Sequence, residues 1–283
     1  MSSEADALFT KAEGKCNKLF FKDYEAAFEL YNQAAARYKL DKNYDRAGEA
    51  YMRAGDCATK LKSSGEASQC YTDSANAYKK CDVKKAGVMI TIAIQNYIEN
   101  NKLGAAARLH KDFAEALEGE NQLDEALTHY KQAMQYFDAE DQNVSVNTCL
   151  TKIANINGQL DRFEECIKLY EQLGNRAVGG PLKHQAKEFF LRAIICRLAL
   201  VKNDTRSEQC AEANEALETY ETIDNYLRNT REDEFLHMII EAVEGEDVDA
   251  FEHAVSLLAE LRMLDDWKTH VLLVAKKNLE NIL

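Results

Sequence analysis

The chain has 283 residues, 46% of them hydrophobic, with a single proline and a formal net charge of −13. No apolar run reaches the roughly 18 residues that a membrane-crossing helix needs, and the acidity is confined to the end: residues 204–283 hold 20 acidic against 7 basic side chains, the residues before them 28 of each. Nucleic acid is therefore excluded as a favourable partner, while a basic protein suits the C-terminal third.

The opening Met1-Ser2-Ser3-Glu4 lacks the basic-then-apolar pattern of a signal peptide, so a cytoplasmic protein is expected. Residues 4–18 place Ala5, Leu8, Ala12 and Cys16 at intervals of three to four, the spacing of an amphipathic helix. Leu19-Phe20-Phe21 then interrupts the pattern between Lys18 and Lys22. Two readings stay open for it. The rings either tuck under the first helical hairpin, or form an apolar tip with basic flanks that contacts an anionic membrane surface.

From residue 23 a ruler runs through the chain. A small residue, an aromatic four later and a small residue seven later lie on one helical face, because 3.6 residues make a turn. Ala27-Tyr31-Ala34, Ala47-Tyr51-Ala54, Ala67-Tyr71-Ser74 and Ala126-Tyr130-Ala133 state it plainly. Ala86-Ile90-Ala93, Ala106-His110-Phe113, Val146-Leu150-Ile153, Cys166-Tyr170-Leu173 and Ala186-Phe190-Ala193 are variants in step with it. Such a repeat predicts an all-α protein, a right-handed tetratricopeptide-like solenoid of helical hairpins in which each unit buries its apolar face against its neighbours. Turn chemistry separates helices of about fifteen residues: Leu40-Asp41-Lys42-Asn43, Ser63-Ser64-Gly65, Glu99-Asn100-Asn101, Gly119-Glu120-Asn121 and residues 138–143. Two helices make a unit of about forty residues, longer than the 34 of a tetratricopeptide unit. Residues 174–181, with Gly179-Gly180-Pro181, read as the strongest break and a longer loop inside the array.

After residue 204 the ruler fades. Residues 207–227, 232–243, 249–261 and 267–283 read as four more helices, with Gly245 ending one and Asp247 starting the next. The expected division is a solenoid over residues 1–204 and an acidic capping bundle over residues 205–283.

The eight cysteines form no CxxC pair, and several take small-residue positions of the ruler, so they read as reduced, buried thiols. The six histidines include no HExxH and no pair four apart, which lends no support to zinc chemistry. No phosphate-cradling GxxxxGK[ST], no GxSxG and no polar cluster at core positions point to an enzyme, and no cofactor is expected. Glu164-Glu165 and Asp265-Asp266 read as solvated faces or helix starts. Lys42, Lys79, Lys80, Lys102, Arg108, Lys152, Lys183 and Lys187 recur near helix ends or at matching points of successive units. They read either as ordinary solubilising charges or as a basic stripe for a long acidic rod.

With the repeats, Leu19-Phe20-Phe21 and the tail phrase Leu264-Asp265-Asp266-Trp267 taken together, the chain resembles the soluble N-ethylmaleimide-sensitive factor attachment protein (SNAP) family, most of all its alpha-SNAP/Sec17 branch. Ala77-Tyr78-Lys79-Lys80, Leu169-Tyr170-Glu171-Gln172 and Ala186-Lys187-Glu188-Phe189-Phe190 carry the likeness further, along nearly the whole chain. The resemblance implies an adaptor that coats a four-helix SNARE bundle of syntaxin-like, synaptobrevin-like and SNAP-25-like chains, then recruits and stimulates the hexameric N-ethylmaleimide-sensitive fusion ATPase. It implies SNARE contacts at Lys42, Lys79, Lys80, Lys102, Arg108, Lys152, Leu182, Lys183 and Lys187. A family lysine falls on Thr148, a departure from the pattern. It further implies transient membrane contact at Leu19, Phe20 and Phe21, where the apolar loop is shorter than the family's, and peripheral membrane association. ATPase contacts are implied at Glu241, Glu244, Glu246, Asp247 and Leu283. From the residues alone, Ile282 and Leu283 equally read as a fraying chain end. The alternative reading is a tetratricopeptide-like co-chaperone or scaffold gripping a peptide C-terminus. It would need a Lys/Asn clamp in 34-residue units, which the forty-residue step disfavours.

Overall fold

Why a twenty-residue ruler becomes a stack of hairpins is visible in the turns. The computed structural model describes residues 3–17, 22–180, 183–261 and 264–280, and among these the chain is all-α, with no strand. Contacts divide it into two compact units, residues 1–149 and 150–283. The change of charge at residue 204 falls inside the second.

The first unit holds α1 (Ser3–Cys16), α2 (Tyr24–Leu40), α3 (Tyr44–Lys60), α4 (Ser64–Tyr78), α5 (Val83–Glu99), α6 (Leu103–Gly119), α7 (Leu123–Ala139) and the start of α8 (Asn143–Gln159). From α2 onward each start follows the last by 19 or 20 residues. Most connections span only three residues, so neighbouring helices must run antiparallel. Five of the turns share one geometry. A residue in the left-handed region (Lys42, Lys62, Asn101, Asn121 and Asp141, φ 54 to 59°) lets the next backbone N–H reach back to a carbonyl of the finished helix. Asn43 N donates to Tyr38 O and Lys102 N to Tyr97 O, each at 2.8 Å. Asparagine and aspartate tolerate that conformation; at Lys42 and Lys62 a lysine is held in it. After the α2–α3 turn the next helix is also capped by a side chain, Asn43 Oδ1 accepting from Arg46 N at 3.3 Å, and Asp82 Oδ1 caps α5 by accepting from Lys85 N at 3.0 Å.

The ruler positions form the core. Of its 27 residues all are buried except Tyr51 and His110, which are partly exposed. Alanines let the backbones approach, and the aromatic hydroxyls are satisfied at the rim: Tyr71 donates to Asp56 at 3.0 Å and Tyr130 to Glu118 at 2.8 Å.

The second unit continues α8 and adds α9 (Phe163–Val178), a 3-10 turn (Lys183–Gln185), α10 (Ala186–Leu198), α11 (Arg206–Ile223), α12 (Arg231–Glu244), α13 (Val248–Leu261) and α14 (Asp266–Glu280). The break expected from residue 174 starts later. Gly174 is helical and buried, because the Phe190 ring of α10 lies where a Cβ would stand. That glycine marks close packing of α9 on α10, not a loop. Gly65 likewise belongs to a helix, since α4 begins at Ser64. The Leu264-Asp265-Asp266-Trp267 phrase is the joint by which α14 returns to the array. Asp265 Oδ1 caps α14 by accepting from Lys268 N at 2.8 Å. Trp267 Nε1 donates to Asn155 O of α8 at 3.0 Å, with its ring edge-on to Tyr170 and under the Arg192 guanidinium. Burial works to raise the Asp265 carboxyl, but the Lys268 amide and Arg192 hold it below the usual range.

Candidate functional site

The first unit displays the basic residues singled out by sequence at helix ends. Lys42 is exposed at the tip of the α2–α3 turn, and Lys79 and Lys80 follow the last turn of α4. Successive turns of an antiparallel stack alternate between its two ends, so these two turns lie at the same end. The contact is direct: Lys80 Nζ sits 4.6 Å over the Tyr44 ring, two residues beyond Lys42. Lys102, exposed at the start of α6, lies at the opposite end, and Arg108 is exposed one and a half turns further along that helix. Lys85 is exposed as well, but it is ion-paired to Asp45 at 2.5 Å. The structure thus joins Lys42, Lys79 and Lys80, and sets Lys102 and Arg108 apart from them.

In the second unit Lys183 is exposed on the 3-10 turn, donating to Tyr226 Oη at 3.0 Å. Lys187 is paired with Glu232 at 2.9 Å and is mostly covered, and Lys152 is half-buried on α8. Thr148, where the family carries a lysine, is exposed. Leu19, Phe20, Phe21, Leu182 and Leu283 lie outside the described residues. No helix among the described residues is long and apolar enough to cross a membrane.

The acidic group is built at the junction of α12 and α13. Glu241 and Glu244 close α12, Gly245 is its C-cap, Glu246 takes φ 58° and Asp247 caps α13 by accepting from Ala250 N at 2.8 Å. All four acids are exposed. A helix C-terminus already carries partial negative charge, so acids there oppose the dipole. Neither Glu241 nor Glu244 has an ion-pair partner among the described residues, whereas Glu246 is bonded to Arg206, whose side chain is only 8% exposed. Two jobs are therefore divided: Glu246 and Asp247 hold the turn, and Glu241 and Glu244 face water with uncompensated charge.

One feature of this kind escaped the sequence reading. His110, where the ruler expects an aromatic, meets His129 of the next helix with Nδ1 atoms 2.8 Å apart, beside Phe113 and Tyr136. Burial first, and His129 second, push the His110 imidazole down to about 4; burial lowers His129 as well. Both rings are neutral, one donating and one accepting. The signal was available only in part, since the partner stands one residue short of the next ruler position, Tyr130.

Comparison with known proteins covers both surfaces at once. A family model described as "Soluble NSF attachment protein, SNAP" matches residues 3–280. The alpha-soluble NSF attachment proteins of Mus musculus and Homo sapiens are each 32% identical over 289 residues, covering 98% of this chain and 95% of theirs. A protein of Coprinopsis cinerea named vesicular-fusion protein SEC17 is 30% identical over 286 residues, covering 98% and 96%. A match that spans hairpin array, tryptophan joint and acidic turn means that the chain belongs to the soluble NSF attachment protein family.

Proposed function

We propose that this protein is an adaptor of vesicular transport that binds assembled SNARE four-helix bundles and recruits and stimulates the hexameric N-ethylmaleimide-sensitive fusion ATPase, which dismantles them. The observation that carries the reading is the family match over residues 3–280. Two surfaces support it. Lys42, Lys79, Lys80, Lys102 and Arg108 offer the first unit's cations to an acidic, rod-shaped partner, and Lys152, Leu182, Lys183 and Lys187 extend the set in the second. Exposed ion pairs contribute only about 0–1 kcal/mol each. Binding then needs many such contacts and several adaptor copies together, which suits a partner released in every cycle. Glu241, Glu244, Glu246 and Asp247 form the opposite pole, for a basic surface of the ATPase, with Leu283 acting on its turnover. Leu19, Phe20 and Phe21 supply a transient membrane contact for a cytoplasmic protein.

The test is co-sedimentation with a purified SNARE bundle across a salt series. Binding is expected for the wild type and should weaken as salt rises, because exposed charges are screened over about 8 Å at physiological ionic strength. Binding that is absent, or indifferent to salt, contradicts the reading.

A further inference from the structure

Where α11 ends and α12 begins, three side chains meet that neither proposed surface uses. Asp233 and His237 stand four residues apart on α12 and share a face, and Glu221 reaches them from the last turn of α11. His237 Nε2 lies 3.0 Å from Glu221 Oε1 and 3.9 Å from Asp233 Oδ1. One ligand atom from each residue falls within 4.8 Å of both others. The two carboxylates are enclosed, their side chains 12% and 9% exposed, while the imidazole is half open to solvent.

The other carboxylate oxygens are already held in place. Asn229 N donates to Asp233 Oδ2 at 2.8 Å, and Arg228 Nε lies 3.4 Å from Glu221 Oε2. Asp233 Oδ1, buried and 3.9 Å from His237 Nε2, has no hydrogen-bond partner among the described residues. A buried acceptor left without a donor is costly, and two enclosed carboxylates side by side repel; Arg228 and His237 both bond to Glu221, while the nearest such group to Asp233 Oδ1 is His237, 3.9 Å away.

We propose that Glu221 Oε1, Asp233 Oδ1 and His237 Nε2 form a binding site for a divalent transition-metal ion of the zinc type. Ligands about 2.0–2.2 Å from a common zinc ion stand roughly 3–4 Å apart, which matches the two separations to the imidazole nitrogen. One imidazole nitrogen with two carboxylate oxygens suits zinc or cobalt, whereas calcium and magnesium take oxygen ligands. The ion neutralises the two carboxylates and gives Asp233 Oδ1 its missing partner. The Asn229 amide and Arg228 orient the ligands from behind, and the open side of His237 leaves a position for water. Bound there, the metal bridges α11 to the first turns of α12, the helix whose far end carries Glu241 and Glu244, so it stiffens the element that presents the acidic turn.

The probe is cobalt(II), then zinc(II), added to the full-length reduced protein. The wild type should take up one equivalent of cobalt with visible bands of nitrogen and oxygen ligation and no intense sulfur-to-metal band, zinc should displace it, and zinc should raise Tm. His237→Ala, which removes a half-exposed ring and keeps the helical content, should lose the bands and the Tm shift. Glu221→Gln, which keeps the shape but removes a charged ligand, should weaken uptake, and Cys81→Ser, at the exposed thiol, should leave it unchanged. The proposal is overturned if His237→Ala binds cobalt like the wild type or if the spectrum is that of cysteine ligation. It is overturned equally if the wild type takes up no cobalt, in which case the two carboxylates share a proton instead.

Discussion

Glu246→Gln and the pair Glu241→Gln with Glu244→Gln should have opposite effects on stability, although all three residues belong to one acidic turn. Glu246 is bonded to the Arg206 guanidinium, which is enclosed and whose Nε has no partner among the described residues. Half of Glu246 faces water, so the penalty is set by the arginine charge left behind, about 1–3 kcal/mol. At about 2–4 °C of Tm per kcal/mol for a chain of this order of size, the variant should melt several degrees lower. Glu241 and Glu244 instead sit at the negative end of α12 with no ion pair among the described residues. Neutralising them removes an unfavourable dipole interaction of about 0.3–1 kcal/mol each, so Tm should hold or rise slightly. The same double variant should lose recruitment of the ATPase to SNARE-bound protein, since it deletes the charge offered to a basic partner. Thermal unfolding beside a recruitment pull-down reads both effects. If the Glu241/Glu244 variant melts lower than wild type, or melts higher and still recruits the ATPase fully, the division of labour within the turn is wrong.

Reversing Lys79, Lys80 and Arg108 together to glutamate should weaken SNARE co-sedimentation severalfold at unchanged helical content; wild-type binding would remove these residues from the interface. Gly14→Ala, at a helical position with nothing within 4 Å, should stabilise by about 0.5–1 kcal/mol. Gly174→Ala must displace the Phe190 ring and should destabilise by about 1–3 kcal/mol despite the same gain in helix propensity; denaturant midpoints for the pair decide it. The histidine pair predicts a pH dependence. Both imidazoles are lowered in the folded state, so the unfolded chain binds more protons below its ordinary histidine value. Stability is then fully present above about pH 6.5 and is lost as pH falls toward about 4. His110→Phe, which restores the ruler aromatic, should flatten Tm between pH 6.5 and 5; an unchanged slope would place the acid sensitivity elsewhere.

Much of this architecture was legible because the ruler is both local and periodic. Alanine, tyrosine and alanine at fixed offsets mark a buried helical face wherever they occur, and only Tyr51 and His110 reach the surface in part. Gly174 misled because a glycine's role depends on what approaches it, and the Phe190 ring comes from the next helix. The connections that shape the surfaces were hidden for the same reason. Arg206 reaches Glu246 across 40 residues, Lys187 reaches Glu232 across 45, and Trp267 reaches Asn155 across 112. No spacing rule spans such distances. At the α11–α12 junction, Asp233 and His237 are visible as a pair four apart, but Glu221 joins them only once the helices pack. The acidic turn was legible in position, yet its division between Glu246, tied to Arg206, and the unpaired Glu241 and Glu244 needed the fold.

On the proposed function, this chain couples SNARE bundles to the ATPase. Its most direct test is disassembly of a fluorescently labelled SNARE bundle by the purified hexamer and ATP, with and without the protein. ATP-dependent disassembly is expected only when the protein is present, rising with its concentration and falling with salt. Disassembly at the same rate without it, or no disassembly in its presence while the ATPase is active with another adaptor, would contradict the account.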